Sequence, residues 1–340
     1  MTMGGERMER GPLIGAQHVP LGVGRASGRH DTSDENYRIS TAVDPGKCFV
    51  KLEANCFELE DVRLRPHPVH ATLSREEPSL PARVTTSLLL TRPWVNVCLL
   101  ADGCVLLLDP EPGTHHAPAV ASPHDSRVFD RGGRLVGLRN YGGAIVAAST
   151  PGGDVWVGYG TNAGRGAAWP YILARYGPDG QLRHRYPTPP QVHWCEAITP
   201  SDDAVWAMCA VGPGSTRKQL IRVAGDEMTV FASFELPQRV VGFAVHEGEL
   251  LLGLYDTGFL VRCAVEGTDD RPLVGHRVVE DWASGFPEYY ADFTTTPDLN
   301  ALHGHGSRLY LELESAEACA VVDLADLHTI GDPVIGPFTS

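Results

Sequence analysis

Lysine is nearly missing from this chain: Lys47, Lys51 and Lys218 are the whole set, and scattered arginines supply the rest of the positive charge. With 42 acidic residues against 28 basic ones the net charge is −14. A surface of that sign repels a phosphate backbone, so nucleic acid is not an expected partner. C-x-x-C pairs are also absent. Most of the eight cysteines (Cys48, Cys56, Cys98, Cys104, Cys195, Cys209, Cys263 and Cys319) sit inside apolar runs, where a free thiol behaves as a small hydrophobe. No segment has the length of a membrane span, and the first forty residues hold no continuous apolar stretch of the kind a secretion signal uses. The expected compartment is therefore the reducing cytoplasm, with no membrane partner. Residues 1–46, rich in Gly, Arg, Ser and Asp, read as a flexible N-terminal arm.

Helical periodicity is missing as well. From about residue 94 the chain alternates short apolar runs with turn residues, and these runs repeat. One unit is "GGAIVAASTPGGDVWVGYG" followed by "YILARYGPDGQLRHRYP"; the next is "HWCEAITPSDDAVWAMCA" followed by "QLIRVAGDEMTVFASFELP". "VVGFAVHEGELLLGLYDTGFLVRCAVEG" and "LNALHGHGSRLYLELESAEACAVVDL" repeat the plan, and "WVNVCLLADGCVLLLDP" opens an earlier copy. Each unit reads as four strands, with Asp-Gly or Gly-Gly hairpin turns, as in "YGPDGQL" and "FDRGGRL", before the fourth. Unit starts near 95, 142, 192, 239 and 299 are roughly fifty residues apart, the spacing of propeller blades. "CFVKLEANCFELEDVRL" and "RVTTSLLL" supply strands for one more, irregular blade. The expected fold is all-β: a six-bladed β-propeller of four-stranded antiparallel blades, forming one domain over residues 47–340. The ring is closed either by N-terminal strands or by the terminal "TIGDPVIGPF".

Glycine is plentiful where a nucleotide loop would be sought. In "GGDVWVGYGTNAGRG", Gly158, Gly160 and Gly164 fit a G-x-G-x-x-x-G pattern. A pyrophosphate loop needs a helix starting at the glycines. Here they lead instead to Pro170 and a strand, so they are read as shaping a loop. Trp156 and Trp206 fall at equivalent places in their units, as side chains that fill the gap between sheets would.

The blade pattern of residues 95–330 resembles the six-bladed propeller superfamily that includes NHL-repeat, strictosidine-synthase-like and gluconolactonase-like proteins. The residues that carry it are the second strands "DVWVGYG", "AVWAMCA" and "RLYLELE" and the turns of "ILARYGPDG" and "RVFDRGGRL". It implies the architecture and no specific family. In a propeller, inner-strand ends converge on the central channel, where a site is expected. Asn96, Glu196 and Asn300 each lie nine residues before Val105, Val205 and Leu309, at the start of the following strand. They come from alternate blades, and their oxygens suit a hard cation such as Ca²⁺ or another divalent ion. Gluconolactonase-like propellers use a similar set, so the resemblance implies metal-assisted lactone or ester hydrolysis. The rival reading is that both Asn side chains satisfy backbone groups and Glu196 faces solvent. His193 beside Glu196 is a candidate acid–base partner, as in a lyase. His303 and His305 are either a zinc-binding pair or turn histidines.

The insertion at residues 281–299 carries Trp282, Phe286, Tyr289 and Tyr290 as candidate ligand-binding aromatics, or as a lid over the channel mouth. Two functions follow from these residues. One is a recognition scaffold that binds a protein or small-molecule ligand at one face of the channel. The other is a metal-assisted hydrolase or lyase at the channel mouth.

Overall fold

The computed structural model describes residues 17–19, 36–43, 49–55, 69–76, 84–90, 96–108, 126–160, 170–212, 216–236, 239–254, 259–264, 277–281, 303–313 and 318–325. Strand β1 is Gln17–Val19. Blade 1 is β2 (Asn36–Val43), β3 (Phe49–Asn55), β4 (Val69–Glu76) and β5 (Val84–Leu90). Blade 2 is β6 (Asn96–Leu99), β7 (Val105–Leu108), β8 (Ser126–Phe129) and β9 (Leu135–Arg139). Blade 3 is β10 (Val146–Ser149), β11 (Val155–Gly158), β12 (Tyr171–Tyr176) and β13 (Leu182–Pro187). Blade 4 is β14 (Val192–Pro200), β15 (Val205–Val211), β16 (Arg217–Ala224) and β17 (Glu227–Glu235). Blade 5 is β18 (Val240–His246), β19 (Glu249–Leu254), β20 (Phe259–Ala264) and β21 (Arg277–Asp281). Blade 6 contains β22 (His303–His305), β23 (Arg308–Leu313) and β24 (Ala318–Asp323).

These strands form six four-stranded antiparallel sheets, and the innermost strands β2, β6, β10, β14, β18 and β22 pack side by side in succession. The chain is a six-bladed β-propeller. Blade 6 takes its outermost strand from the N-terminal region: β1 pairs antiparallel with β24, with Gln17 opposite Val321 and Val19 opposite Cys319. Blade 6 is thus completed by an N-terminal strand, and the residues of the "TIGDPVIGPF" segment lie outside the described set. Two segments of the stretch read as an arm, β1 and β2, are therefore sheet, and blade 1 begins before residue 47. The other residues of 1–46 lie outside the described set.

Burial on both faces explains the unbroken apolar strands. Along β7, Val105 and Leu107 pack against blade 1, while Leu106 and Leu108 pack against blade 3. Along β15, Val205, Ala207 and Cys209 face blade 3, while Trp206 and Met208 face blade 5. The core is accordingly a series of seams between neighbouring blades. Polar latches close three of these seams at the rim. Thr86 of β5 donates to the Gly133 carbonyl at 2.9 Å, Arg139 of β9 to the carbonyls of Pro178 and Asp179, and Tyr186 of β13 to the Gly225 carbonyl at 2.9 Å. In each case the outermost strand reaches the turn between the third and fourth strands of the next blade. The expected turns are there: Asp130 accepts from the amides of Gly132 and Arg134, and Asp179 from the amide of Gln181.

Candidate functional site

Two of the residues expected around the channel, Asn96 and Glu196, are engaged at the seams. Asn96, the first residue of β6, donates its side-chain amide to the Ile145 carbonyl just before β10, so it ties blade 2 to blade 3. Glu196 lies inside β14. One of its oxygens accepts from Lys218 Nζ at 2.6 Å, and the other accepts from the Val240 amide at 3.0 Å. The ion pair is almost fully buried, with 4% and 6% of the Lys218 and Glu196 side chains exposed. Glu196 therefore ties blade 4 to blade 5 and does not face solvent. For Glu196 to ligate a cation, a buried ammonium would have to lose its partner, a cost of several kcal/mol, on the order of 3–5.

Asn96 and Glu196 thus serve different seams. Asn300, Trp282, Phe286, Tyr289 and Tyr290 lie outside the described residues. His193 is half-buried on β14, three residues before Glu196. Cys195 and its cross-strand partner Cys209 are fully buried. Burial, the Cys195 hydrogen bond and the Glu196 charge push the Cys209 thiol well above its ordinary value, so it is not available as a thiolate nucleophile. Among the described residues no three His, Cys, Asp or Glu side chains converge as a metal centre requires.

The glycine-rich stretch is a packing feature. A Cβ on Gly158 would stand 2.5 Å from Cys195 Sγ, and one on Gly160 would stand 2.4 Å from the Trp194 indole. Those two glycines let β14 approach the end of β11, where the Cys195 amide donates to the Tyr159 carbonyl at 3.0 Å. Gly164 lies outside the described residues.

Among the described residues, one open space lies at the opposite end of the inner strands. A cleft of about 690 Å³ opens where the inner hairpin turns of blades 4, 5 and 6 meet. Ser201–Asp203, Glu247–Gly248 and Gly306–Ser307 supply those turns, with His246 and His305 entering them. Trp206, Leu220, Arg222 and Phe231 form the wall from blade 4. The turns are locked together by backbone: the Gly306 amide donates to the Pro200 carbonyl at 2.7 Å, and the Val245 amide donates to the Gly306 carbonyl at 2.8 Å. Gly304 permits this approach, since a Cβ there would fall 1.6 Å from the Phe243 carbonyl oxygen.

The blade 5 turn is a two-residue hairpin in which both Glu247 (φ 44°) and Gly248 (φ 81°) are left-handed. Asn, Asp or Gly is favoured at that first position. Glutamate is not, and its carboxylate, 75% exposed, stands 3.9 Å from His246 Nε2.

The blade 4 wall carries a triplet that blade 3 repeats. Arg222 lies 5.7 Å from the Trp206 ring centre and pairs with Asp203 at 3.0 Å. Arg175 lies 6.0 Å from the Trp156 ring centre and pairs with Asp154 at 2.6 Å. The Ser201 hydroxyl and the Arg222 guanidinium hold the Asp203 carboxyl below its ordinary range. Across the cleft, burial raises the Asp323 carboxyl less than hydrogen bonds from Ser307, Arg308 and the Ala325 amide lower it, so it too lies below. Both carboxylates are thereby committed to their arginines. The turn carboxylates are not strand-start residues, so the spacing that singles out Asn96 and Glu196 does not reach them. The signals available were the acidic "SDD" and the Glu of "HEGE", both at hairpin turns.

A six-bladed propeller with a polar cleft at its inner hairpins is the class that fold and site define. Compared with protein-family models and with curated protein sequences, the chain has no match. Among solved structures it is similar to a catalytically inactive variant of virginiamycin B lyase from Staphylococcus aureus with quinupristin. That likeness has a TM-score of 0.42 and 11% identity, over 90% of this chain and 98% of that one. It is also similar to the PQQ-bound form of aldose sugar dehydrogenase from Streptomyces coelicolor. Here the TM-score is 0.45 and the identity 14%, over 91% of this chain and 98% of that one. The fold assignment rests on the six sheets themselves, and the chemistry of either neighbour stays its own.

Proposed function

We propose that this propeller is a recognition scaffold that binds a protein or small-molecule ligand on one face, in the cleft between blades 4, 5 and 6. The observation that supports it is the cleft itself, about 690 Å³ with an apolar wall and several polar turns, within the size range of ligand pockets. It is built on hairpins held by direct backbone bonds, which favours a pre-formed site. A metal-assisted hydrolase or lyase built around Asn96, Glu196 and Asn300 with His193 draws less support, because both Glu196 oxygens are already engaged, one by Lys218 and the other by the Val240 amide.

A fragment screen read by methyl NMR tests the proposal. Fragments are expected to perturb Val245 and Leu220, and to lose that effect in Glu247→Trp, which fills the rim without touching the core. Perturbation centred on Val192 and Val240, near His193 and Glu196, would favour the channel-mouth site instead.

A further inference from the structure

The chain lodges its own guanidiniums in a recurring way. Arg175 sits against Trp156 with Asp154 at its edge, and Arg222 sits against Trp206 with Asp203 at its edge. Each arrangement has three parts: an aromatic ring, a carboxylate and the arginine between them. This geometry suits guanidinium, which stacks on ring faces and offers a planar fork to a carboxylate.

The cleft holds a second ring and further carboxylates with no arginine of their own. Phe231 is half-buried on its wall, and Asp202 and Glu247 are exposed at its turns. Among the described residues, neither Asp202 nor Glu247 has a lysine or arginine partner. Four carboxylates belong to the cleft and its backing: Asp202, Asp203 and Glu247 line it, and Asp323 stands behind Arg308. Two guanidiniums oppose them, and both are taken, Arg222 by Asp203 and Arg308 by Asp323. An anion entering here would meet arginines already neutralised and carboxylates that are not. A cation would meet the reverse, on a chain of net charge −14.

We infer that the cleft receives an arginine side chain from a basic peptide segment of a partner. Its aliphatic stem lies along Phe231 and Val245, and its guanidinium reaches Asp202 and Glu247 at the rim. This rests on the cleft being the binding site and adds to it the charge and shape of the occupant.

Calorimetry on the full chain with three blocked pentapeptides of sequence Gly-Ala-X-Ala-Gly tests the inference, with X arginine, its neutral isostere citrulline, or glutamate. The arginine peptide is expected to bind with one site and at least about tenfold more tightly than the citrulline peptide, a difference of about 1.4 kcal/mol. The glutamate peptide is expected not to bind. In Asp202→Asn/Glu247→Gln the preference for arginine over citrulline should disappear.

Equal binding of arginine and citrulline peptides, with NMR shifts at Val245 and Leu220, would overturn the charge assignment and leave the cleft as the site. Tighter binding of the glutamate peptide would overturn it as well. A preference for arginine that persists in the double variant, or peptide shifts confined to the His193 end, would overturn both.

Discussion

At the seam between blades 3 and 4, Trp156 carries Arg175, Asp154 and a tyrosine, Tyr186, stacked on the indole at 5.3 Å with its ring tilted only 21°. At the seam between blades 4 and 5, Trp206 carries Arg222, Asp203 and a phenylalanine, Phe231, edge-on at 5.1 Å and 89°. The two aromatics hold the same place, two residues beyond the cross-strand partner of the arginine, His184 in one blade and Thr229 in the other. Tyr186 is 1% exposed, and its hydroxyl latches onto the Gly225 carbonyl of the next blade. Burial, with Asp226 beside it, holds that phenol above its ordinary value, which keeps the donated proton in place. Phe231 has no hydroxyl to give, stays half-buried, and lines the open cleft. Both tryptophans are buried, so what differs is the aromatic beside them: it is sealed where it lies flat and latches, and it lines an open cleft where it does neither.

The blade 4–5 seam is instead bridged further along β14 by Glu196, which accepts from the Val240 amide of blade 5 while Lys218 of its own blade neutralises it, and the largest expected effect lies there. Lys218→Met leaves a buried carboxylate without its cation and should destabilise the protein by about 3–5 kcal/mol. Lys218→Met with Glu196→Leu removes both charges and should recover much of that loss. Urea denaturation of the three proteins reads the difference. If Lys218→Met alone is neutral, the buried charge pair does not support the Glu196 bridge to blade 5.

At the sealed seam, Tyr186→Phe leaves the Gly225 carbonyl without its donor and should cost about 1 kcal/mol. The reciprocal Phe231→Tyr, at a half-buried wall, should stay within about 0.5 kcal/mol. Equal effects at the two positions would erase the distinction between the seams.

The strained turn offers a smaller and opposite change. Glu247→Asn relieves a left-handed glutamate and should stabilise the fold by about 1 kcal/mol or less, while weakening capture of the arginine peptide. Paired denaturation and calorimetry check both signs.

The smallest effect is on pH. The Asp203 and Asp323 carboxyls lie below their ordinary range. The stability they add is complete above the ordinary aspartate value, about 3.9, and is lost as pH falls through their lower folded values. Acid unfolding of Asp203→Asn should therefore be less steep than that of the parent below that value. An unchanged profile would mean the Arg222–Asp203 pair contributes nothing.

Much of the blade plan was legible because a seam needs apolar residues on both parities of a strand, and many of the tight turns between strands carry a glycine, as at Gly103, Gly133, Gly153 and Gly180. "DVWVGYG" and "DAVWAMCA" carry the apolar run, and Trp156 and Trp206 are buried in the seams as the gap-fillers they were read as. The closing strand was not legible: "QHV" is too short for any period to register, and only its pairing with Val321, Ala320 and Cys319 makes it a strand. "NYRISTAV" mixes polar and apolar residues in a polar stretch, so β2 was assigned to the arm.

The role of Glu196 depends on residues of two other strands. Its ligand-like spacing was visible, but the contacts that use up its oxygens were not. A clue lay in Lys218, a lone lysine in the alternating strand "RKQLIRVA". The cleft was hidden for a related reason, since three hairpin turns far apart in sequence meet only once the blades stack.

A crystal of the full chain soaked with the arginine pentapeptide tests the central contrast most directly. The account predicts density for the side chain between Phe231 and the Asp202 and Glu247 carboxylates, with Tyr186 still closed over Trp156. Density at the His193 end of the inner strands, with the cleft empty, would contradict it.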